Sequence, residues 1–349
     1  MGRTLVRIGI IGATGYTGLE LLRVLLLHPE AKVTVATSRQ FSGKRLGELF
    51  PFFSEITDLI LEAFDPESSS EKADLFFTAL PHQVSMEMVP NLLEKGKKVI
   101  DLSADFRLKD ASVYEKWYGP HKATAYLKEA VYGLPELYAE EIRKARLVAN
   151  PGCYPTTVIL ALAPFLKAGV VNLDTIIVDA KSGVSGAGRG VKLTTHFCEV
   201  NEDMKAYKVG EHRHTPEMEQ ELSKLAGREI KISFVPHLIP ISRGMFTTVY
   251  AQLKKDLSTE DAYKLAKDFY TKKIFVKVLP PPQVPQTIYV RGTNECHLGV
   301  KVDERTGRLI VMAAIDNLAK GASTQAVQNM NLMLGLSEET GLKNLPLFP

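Results

Sequence analysis

A glycine-rich turn near the N-terminus constrains the fold of this chain more than any other feature. The segment GIIGATGYTGLELL, which starts at Gly9, places three glycines at three-residue intervals between a strand-like run and a helix-like run. Such glycines let the backbone approach a pyrophosphate, while the N–H groups and dipole of the next helix face the anion. A tight turn without a ligand is the alternative, because the spacing is not G-x-G-x-x-G. The strand–turn–helix setting favours dinucleotide binding by Gly12, Thr14, Gly15, Tyr16, Thr17 and Gly18.

The order of the predicted elements indicates an α/β protein with two domains. The first 150 residues alternate strand-like and helix-like segments, which predicts a parallel, Rossmann-type sheet with helices on both faces. Later strand-like runs, such as TIIVDAKSG, KISFVPHLIP and GMFTTVYAQL, follow one another and predict an α+β domain with a mixed or antiparallel sheet. The segment VKVDERTGRLIVMAAI is typical of a hairpin with Gly307 in its turn.

Composition excludes several other classes of protein. A chain of 349 residues is long enough for two ordinary domains. No apolar run reaches the roughly 20 residues that a membrane span needs. The start MGRTLVRIGIIG lacks the layout of a signal peptide, so we expect a cytoplasmic protein. A net charge of +3 without a basic block gives no indication of nucleic acid as a partner.

The second predicted strand indicates which dinucleotide is bound. NAD-binding folds usually place a carboxylate about 20 residues after the glycine loop, where it holds the ribose 2′-hydroxyl. Here the strand VTVATSRQ ends in Ser38 and Arg39 instead. A hydroxyl and a guanidinium suit a 2′-phosphate and favour NADP(H), although a surface pair without a ligand is the alternative. Pro81, after a further predicted strand, is expected to line the same crevice.

The cysteines do not form a framework, and one of them lies in an unusual turn. The chain has three cysteines, Cys153, Cys198 and Cys296. Their odd number and wide spacing argue against a disulfide framework and a structural zinc site. Cys153 lies in NPGCYP, between a predicted strand and a predicted helix. A helix N-terminus favours the thiolate and directs N–H groups at a carbonyl under attack, and Asn150 is placed to add another donor. A buried, inert thiol is the alternative reading of Cys153, and we expect the other two cysteines to be inert.

A pair of histidines offers the base that a thiol nucleophile usually needs. The segment GEHRHTPEMEQEL contains His212 and His214, which would share one face of an extended chain. Thr215 then reads as the N-cap of a helix that begins at Pro216, and Glu217 is close enough in sequence to orient an imidazole. A metal-binding H-x-H and a capped surface helix with incidental histidines are the alternatives. We predict no metal site, because no cluster of Cys, His and acidic residues surrounds the pair.

Two further loops follow predicted strands. The glycines of KSGVSGAGRG suggest close backbone approach to a ligand, which makes Ser182, Gly183 and Gly186 candidates for cofactor binding. The segment DLSADFR ends a strand of the first domain, at the edge where α/β sheets bind ligands. Arg107 in that segment is placed to hold a phosphate.

Taken together, five segments resemble the motifs of the N-acetyl-gamma-glutamyl-phosphate reductase family, which is similar to aspartate-semialdehyde dehydrogenase. These segments are GATGYTG, NPGCYPT, KSGVSGAGR, HRHTPEMEQ and AIDNLAKGASTQAVQNMN. The resemblance implies a Rossmann-type NADP-binding domain of residues 1–150 and 317–349. It also implies an α+β catalytic and oligomerisation domain of residues 151–316 with a mixed sheet. Family members resemble dimers or tetramers, so we expect a homodimer or homotetramer.

The activity implied by the resemblance is a step of arginine biosynthesis. NADPH would reduce N-acetyl-gamma-glutamyl phosphate, through a cysteine thioester, to N-acetyl-glutamate 5-semialdehyde and phosphate. The nucleophile of the family maps onto Cys153, and its histidine onto His214, with Glu217 as the orienting group and His212 as the rival. By the same analogy Asn317 would lie near the nicotinamide. Candidates for substrate binding are Arg107, His212, Arg243 and Lys320.

Three alternative functions remain open from the sequence. The aminoadipate acyl-phosphate reductase of lysine biosynthesis, which acts on a carrier protein, keeps the same catalytic parts. A non-catalytic NADP-sensing protein would need no thiol turn with a partner histidine. A cysteine acyltransferase or hydrolase would need no dinucleotide loop. The expected partner is a small-molecule acyl phosphate, with neither nucleic acid nor membrane.

Overall fold

A computed structural model describes residues 5–348, which form thirteen β-strands and eleven α-helices. The strands are β1 (Val6–Ile11), β2 (Ala31–Thr37), β3 (Leu75–Thr78), β4 (Lys98–Asp101), β5 (Val131–Tyr132), β6 (Leu147–Ala149), β7 (Ile177–Gly183), β8 (Lys205–Ala206), β9 (Ser233–Ile239), β10 (Met245–Gln252), β11 (Val276–Val278), β12 (Cys296–Asp303) and β13 (Arg308–Ile315). The helices are α1 (Tyr16–Leu25), α2 (Leu46–Leu49), α3 (Pro66–Lys72), α4 (Ser85–Glu94), α5 (Ala111–Tyr118), α6 (Pro135–Lys144), α7 (Cys153–Lys167), α8 (Phe197–Val200), α9 (Thr215–Ala226), α10 (Thr259–Tyr270) and α11 (Thr324–Met333).

The described chain divides into two compact units. The first unit comprises the chain up to Pro151 together with Ala322–Lys343, and the second comprises Gly152–Gly321 and the residues from Asn344 onward. Residues 317–321 and 344–348 therefore pack with the second unit, whereas the sequence-based boundaries placed them with the first. The reason is local bonding. The Asn317 side chain accepts the N–H of Gly244, and Leu347 donates its N–H to Arg291.

The first unit is built on a six-stranded sheet with the order β2-β1-β3-β4-β6-β5. All of its strand pairs are parallel, so the sheet predicted from strand–helix alternation is confirmed. The chain leaves β1 for β2 on one side and later returns to β3 on the other. Ligands of open α/β sheets bind at such a reversal, beside the carboxyl ends of the strands. The glycine turn begins directly after β1.

Helix α11 completes the first unit as a fully buried but polar helix. All ten of its residues are buried. Asn329 donates to the carbonyl of Gly133 at 2.8 Å and to Oδ1 of Asn150 at 3.0 Å, and Gln325 donates to the same Gly133 carbonyl at 2.8 Å. Buried polar groups need such partners. These amide contacts therefore hold α11 to the segments that follow β5 and β6.

The second unit is built on a seven-stranded sheet with the order β11-β12-β13-β10-β7-β9-β8. The β11–β12 and β7–β9 pairs are parallel and the other four are antiparallel, so the predicted mixed sheet is confirmed. The β12–β13 hairpin pairs Asp303 with Arg308, and Gly307 in its turn has a φ of +63°. A positive φ is the conformation that glycine adopts without strain. Helix α7 packs against β10, β13 and α9.

Helix α7 is buried along nearly its whole length and contains a proline in its second half. Pro164 has no N–H to donate to the carbonyl of Leu160, one turn earlier. The hydroxyl of Tyr270, at the end of α10, donates to that carbonyl at 2.6 Å. The sequence pattern had not indicated α10, yet this helix satisfies a backbone group that α7 cannot. Among residues 5–348, no helix has the length and apolar character to cross a membrane.

We predict that Tyr270→Phe lowers the free energy of unfolding by about 1–3 kcal/mol, because it removes a buried hydrogen bond and leaves the Leu160 carbonyl without that donor. Urea titration followed by far-UV circular dichroism measures the change. The matched control is Tyr263→Phe, at a half-buried position on the same helix, which we expect to stay within about 0.5 kcal/mol of the parent. Equal stability of the two variants would contradict the role of Tyr270.

Candidate active site

The glycine turn of the first unit is shaped by contacts within the protein. Gly12 has a φ of +91°, and a Cβ there would lie 2.4 Å from the carbonyl oxygen of Ala79. A Cβ at Gly18 would lie 2.3 Å from the carbonyl oxygen of Gly12. Gly15 is the N-cap of α1, and a Cβ there would make an ordinary contact with the carbonyl oxygen of Gly12 at 3.8 Å. The first turn of a helix presents N–H groups that have no partner inside the helix, so this end suits an anion.

The end of β2 lies beside this turn. The hydroxyls of Thr14 and Ser38 are 3.1 Å apart, and the Thr37 carbonyl accepts the N–H of Ala13 at 2.9 Å. Ser38 is buried, and Arg39 follows it with an exposed side chain. Two hydroxyls thus lie beside the glycine turn, and an exposed arginine follows the second of them in the chain. Pro81, also exposed, follows β3, the strand that pairs with β1.

Cys153 is the first residue of α7, whereas the sequence placed it just before the predicted helix. Gly152 is the N-cap with an extended backbone, and the thiol residue is half-buried. The N–H of Gly152 donates to Oε1 of Glu217 at 2.8 Å, and Glu217 is almost completely buried in the first turn of α9. This carboxylate therefore fixes the turn in front of the thiol residue. Its expected role as the orienting partner of an imidazole stays a prediction.

Asn150 and Arg107 are committed to the fold of the first unit. The Asn150 side chain is fully buried, donates to the carbonyl of Ala322 at 2.9 Å and accepts from Asn329. The expected role of Asn150 as a donor to a reacting carbonyl stays a prediction. Arg107 is buried as well, and its guanidinium donates to the carbonyls of Asn150 at 2.7 Å and Leu102 at 2.8 Å. The predicted phosphate ligand thus joins the ends of β4 and β6.

A backbone segment passes directly over Cys153. A Cβ placed on Gly321 would lie 2.8 Å from Cβ of Cys153 and 3.3 Å from the carbonyl oxygen of Asp316. Contacts below 3.0 Å require a shift of one partner, so only glycine fits here. The sequence pattern did not indicate Gly321. The glycine in AIDNLAKGAS is the available signal, but the sequence does not show which residue approaches it.

The two histidines lie in an aromatic cluster of the second unit. His214 is the N-cap of α9, one residue before the predicted cap at Thr215, and its backbone N–H donates to Nδ1 of His212 at 3.1 Å. His212 is contacted edge-on by the rings of Tyr154, Tyr207 and Phe234, whose centroids lie 5.3–5.5 Å from its own. The Tyr154 and Phe234 ring centroids are 5.2 Å apart. The Tyr154 and Tyr207 hydroxyls are 3.0 Å apart.

Burial makes His212 a neutral imidazole. Desolvation first, and then the charges of Lys208 and Arg213, lower the pKa of His212 to about 4. An Nδ1 that accepts an N–H agrees with the neutral form, in which the proton lies on Nε2. Burial likewise raises the pKa of Tyr207 to about 12. Within residues 5–348 no group of three or more His, Cys, Asp and Glu side chains is arranged to hold a metal ion.

The glycine loop after β7 is approached by protein backbone. A Cβ at Gly183 would lie 2.9 Å from the carbonyl oxygens of Ile241 and Ser242. The N–H of Gly183 donates to the carbonyl of Gly244 at 2.8 Å. The glycine predicted to make room for a ligand therefore makes room for the loop between β9 and β10. A Cβ at Gly186 would lie 3.1 Å from the Ser182 hydroxyl, which itself donates to the Gly183 carbonyl.

The remaining candidates also have partners inside the second unit. The buried Asn317 side chain accepts from Gly244 at 2.7 Å and donates to the Ser185 hydroxyl at 2.9 Å. Arg243 forms an ion pair with the fully buried Asp316 at 2.9 Å. Lys320 is fully buried, and its ammonium lies 5.7 Å from the ring centroid of Phe275.

Comparison with known families gives matches over both units. The family described as "Semialdehyde dehydrogenase, NAD binding domain" matches residues 7–145, and the one described as "Semialdehyde dehydrogenase, dimerisation domain" matches residues 153–317. The N-acetyl-gamma-glutamyl-phosphate reductase of Desulfotalea psychrophila is 54% identical over 346 residues, which cover 99% of this chain and 100% of that protein. The protein of the same name from Geobacter metallireducens is 55% identical over 346 residues, with the same coverage.

Solved structures share the fold at low sequence identity. Aspartate semialdehyde dehydrogenase II of Vibrio cholerae, complexed with ASA, has a TM-score of 0.73 and 19% identity, and the match covers 95% of this chain and 99% of that one. Aspartate semialdehyde dehydrogenase of Candida albicans, with NADP, has a TM-score of 0.73 and 16% identity over the same shares. At this identity the likeness concerns the fold alone.

We predict that His212 makes folding pH-dependent below neutrality. Its pKa is about 4 in the folded state and near 6.5 when exposed, so the unfolded state binds more protons between these values. The stability from this group is full above about pH 6.5 and is lost as the pH falls toward 4. His212→Asn keeps an acceptor near Nδ1 but does not titrate. It should therefore flatten the dependence of unfolding free energy on pH.

Urea titrations at intervals from pH 4 to pH 7 measure this difference. The matched control is His196→Asn, at an exposed position of the same unit, which should retain the slope of the parent. A His212→Asn variant with the parental slope would refute the assignment.

Proposed function

Because the chain belongs to the N-acetyl-gamma-glutamyl-phosphate reductases of the semialdehyde dehydrogenase family, we propose that it reduces N-acetyl-gamma-glutamyl phosphate to N-acetyl-glutamate 5-semialdehyde and phosphate. The observation that supports this most directly is Cys153, at the N-terminus of a buried helix and in a turn fixed by Glu217. The relatives favour the acetylglutamyl substrate over the aminoadipyl alternative.

Cys153 is the nucleophile in this proposal. Its thiolate attacks the acyl carbon, and the bond from that carbon to the phosphate oxygen breaks. Phosphate departs, and a thioester remains on Sγ. The N–H groups of the first turn of α7 face the oxygen on which negative charge develops. Glu217 acts as a positioning residue, because its bond to Gly152 holds the N-cap extended.

His214 is the proton carrier in this proposal. The ring of His212, which burial keeps neutral, lies 4.9 Å from the ring of His214, so this neighbour adds no positive charge of its own. His214 donates a proton to the oxygen of the thiohemiacetal and accepts it again when the aldehyde leaves. When bound, a nicotinamide cofactor supplies the hydride for the reduction.

The first unit is an NAD(P)-binding domain of this family, and we propose NADP(H) as its cofactor. The N-terminus of α1, which Gly15 caps, suits the pyrophosphate. Ser38 and the exposed Arg39 suit a ribose 2′-phosphate better than a 2′-hydroxyl, because no carboxylate ends β2.

We also propose that the chain forms a homodimer or homotetramer through the unit that includes the dimerisation domain. That unit exposes apolar side chains along residues 191–209, with Val191, Leu193, Phe197, Met204 and Val209 all more than half exposed. Apolar surface of this kind is typical of a surface that another subunit covers. The cytoplasmic location expected from the sequence stays a prediction.

The reverse reaction tests the activity. We expect N-acetyl-glutamate 5-semialdehyde, NADP and phosphate to generate NADPH absorbance at a rate that depends on phosphate. Cys153→Ala should abolish this signal yet leave NADP binding intact, whereas Cys198→Ala, at an exposed thiol, should retain it. A rate of NADPH formation that does not depend on phosphate would exclude acyl-phosphate chemistry. An active Cys153→Ala variant would exclude Cys153 as the nucleophile.

The cofactor preference is tested at Arg39. We expect Arg39→Asp to lower the ratio of kcat/KM with NADP to kcat/KM with NAD by about 10–100-fold, because it removes a charge-assisted contact worth roughly 1.5–3 kcal/mol. Steady-state kinetics with both cofactors measure the ratio. Arg45→Asp reverses another exposed charge of the same unit and should leave it unchanged. An unchanged ratio in Arg39→Asp would remove Arg39 from the cofactor site.

A further inference from the structure

The segment Asp316–Gly321, which we call the cover segment, follows the end of β13 and runs into the π-helical turn Ala319–Ser323. It contacts the proposed nucleophile through Gly321, where a Cβ would lie 2.8 Å from Cβ of Cys153. The nearest other atoms to that position belong to Ile315 and Asp316, both at 3.3 Å. The space around Cys153 therefore depends on where this backbone lies.

Asp316 holds the cover segment at two points. Its carboxylate Oδ1 accepts the N–H groups of Leu318 at 2.8 Å and Ala319 at 3.0 Å. Its backbone carbonyl accepts the N–H of Gly321 at 2.9 Å, a bond that spans five residues. One residue thus fixes both the start of the segment and the glycine that contacts Cys153.

The Asp316 carboxylate is itself held from outside the segment. Oδ2 accepts the N–H of Gly292 at 2.7 Å and pairs with Nε of Arg243 at 2.9 Å, while Nη2 of Arg243 donates to Oδ1 at 3.1 Å. The carboxylate is fully buried, so its charge is stable only with donors in these positions. It cannot shift without losing several of them at once.

From these contacts, and on the basis of the function proposed above, we infer that Asp316 is a positioning residue for the thiol chemistry, which acts through Gly321 on the geometry around Cys153. Attack on an acyl carbon needs the sulfur within about 3–3.5 Å and correctly oriented, and a misplacement near 1 Å costs about 100-fold in rate. A carboxylate that fixes the neighbouring backbone therefore affects kcat without contacting the substrate.

The variant Asp316→Asn tests this inference with two independent readouts. It keeps an oxygen for the amides of Leu318 and Ala319, but loses the charge that pairs with Arg243. We expect kcat of the reductase to fall at least about tenfold while KM stays within about threefold. We also expect iodoacetamide to alkylate Cys153 at least about fivefold faster, because the loosened cover segment gives more access to a half-buried thiol.

Alkylation is followed by peptide mass spectrometry, and Cys198 is the internal reference. Cys198 is exposed, so its alkylation rate should be the same in parent and variant. The matched control variant is Asp303→Asn. Asp303, the last residue of β12, likewise accepts a turn N–H, from Arg305, but it lies beside the other end of β13. That variant should behave as the parent in both assays.

Arg243→Lys is the milder second variant if Asp316→Asn does not fold. It keeps the positive charge but not the two-pronged contact, and should shift both readouts in the same directions by smaller factors. Parental kcat and a parental alkylation rate for Cys153 in either folded variant would overturn the inference. Equal acceleration at Cys153 and Cys198 would also overturn it, because it would indicate general loosening.

The alkylation readout separates this inference from the proposed function. It needs neither substrate nor cofactor. If the parent shows no phosphate-dependent reductase activity, the proposed function fails while the ratio of the Cys153 and Cys198 rates still decides the role of Asp316. If the parent is active and Asp316→Asn matches it in both assays, only the positioning role fails.

Discussion

The hydrogen bond from the Gly152 N–H to the Glu217 carboxylate is the contact on which the candidate site depends. It joins the N-terminus of α7 to the first turn of α9, across 65 residues of sequence. Cys153 follows Gly152, and His214 caps the helix that contains Glu217. A buried carboxylate needs donors, and the N-terminus of a helix provides them. The bond therefore fixes the thiol residue and the imidazole residue in one frame.

The electrostatics of the histidine pair follow from the same packing. The aromatic rings around His212 remove water from it, and Lys208 and Arg213 add positive charge nearby, so it remains neutral at physiological pH. Two protonated imidazoles with ring centroids 4.9 Å apart would repel each other. A neutral His212 therefore avoids a second positive charge beside the His214 ring.

The features that the sequence predicted correctly are those that depend on local patterns and on the order of the strands and helices. Strand–helix alternation was sufficient for the parallel sheet, and consecutive strands for the mixed sheet, because connection rules leave few alternatives. The partners of polar residues depend on contacts between distant segments. Asn150 meets Ala322 across 172 residues, and Arg107 meets Asn150 across 43. No periodicity encodes such pairs, so residues chosen for their chemistry proved to be bonded within the fold.

Glycine illustrates this limit most clearly. The sequence marks positions where a side chain is excluded, but it does not show what occupies the space. At Gly18, Gly183 and Gly321 the approaching atoms belong to the protein itself, within 3 Å of where a Cβ would lie. Gly15, at the N-terminus of α1, differs, since a Cβ there would lie 3.8 Å from the carbonyl oxygen of Gly12, an ordinary contact distance. Within the glycine turn, Gly12 and Gly18 are therefore required for the fold, whereas no backbone atom crowds a Cβ at Gly15 in this way.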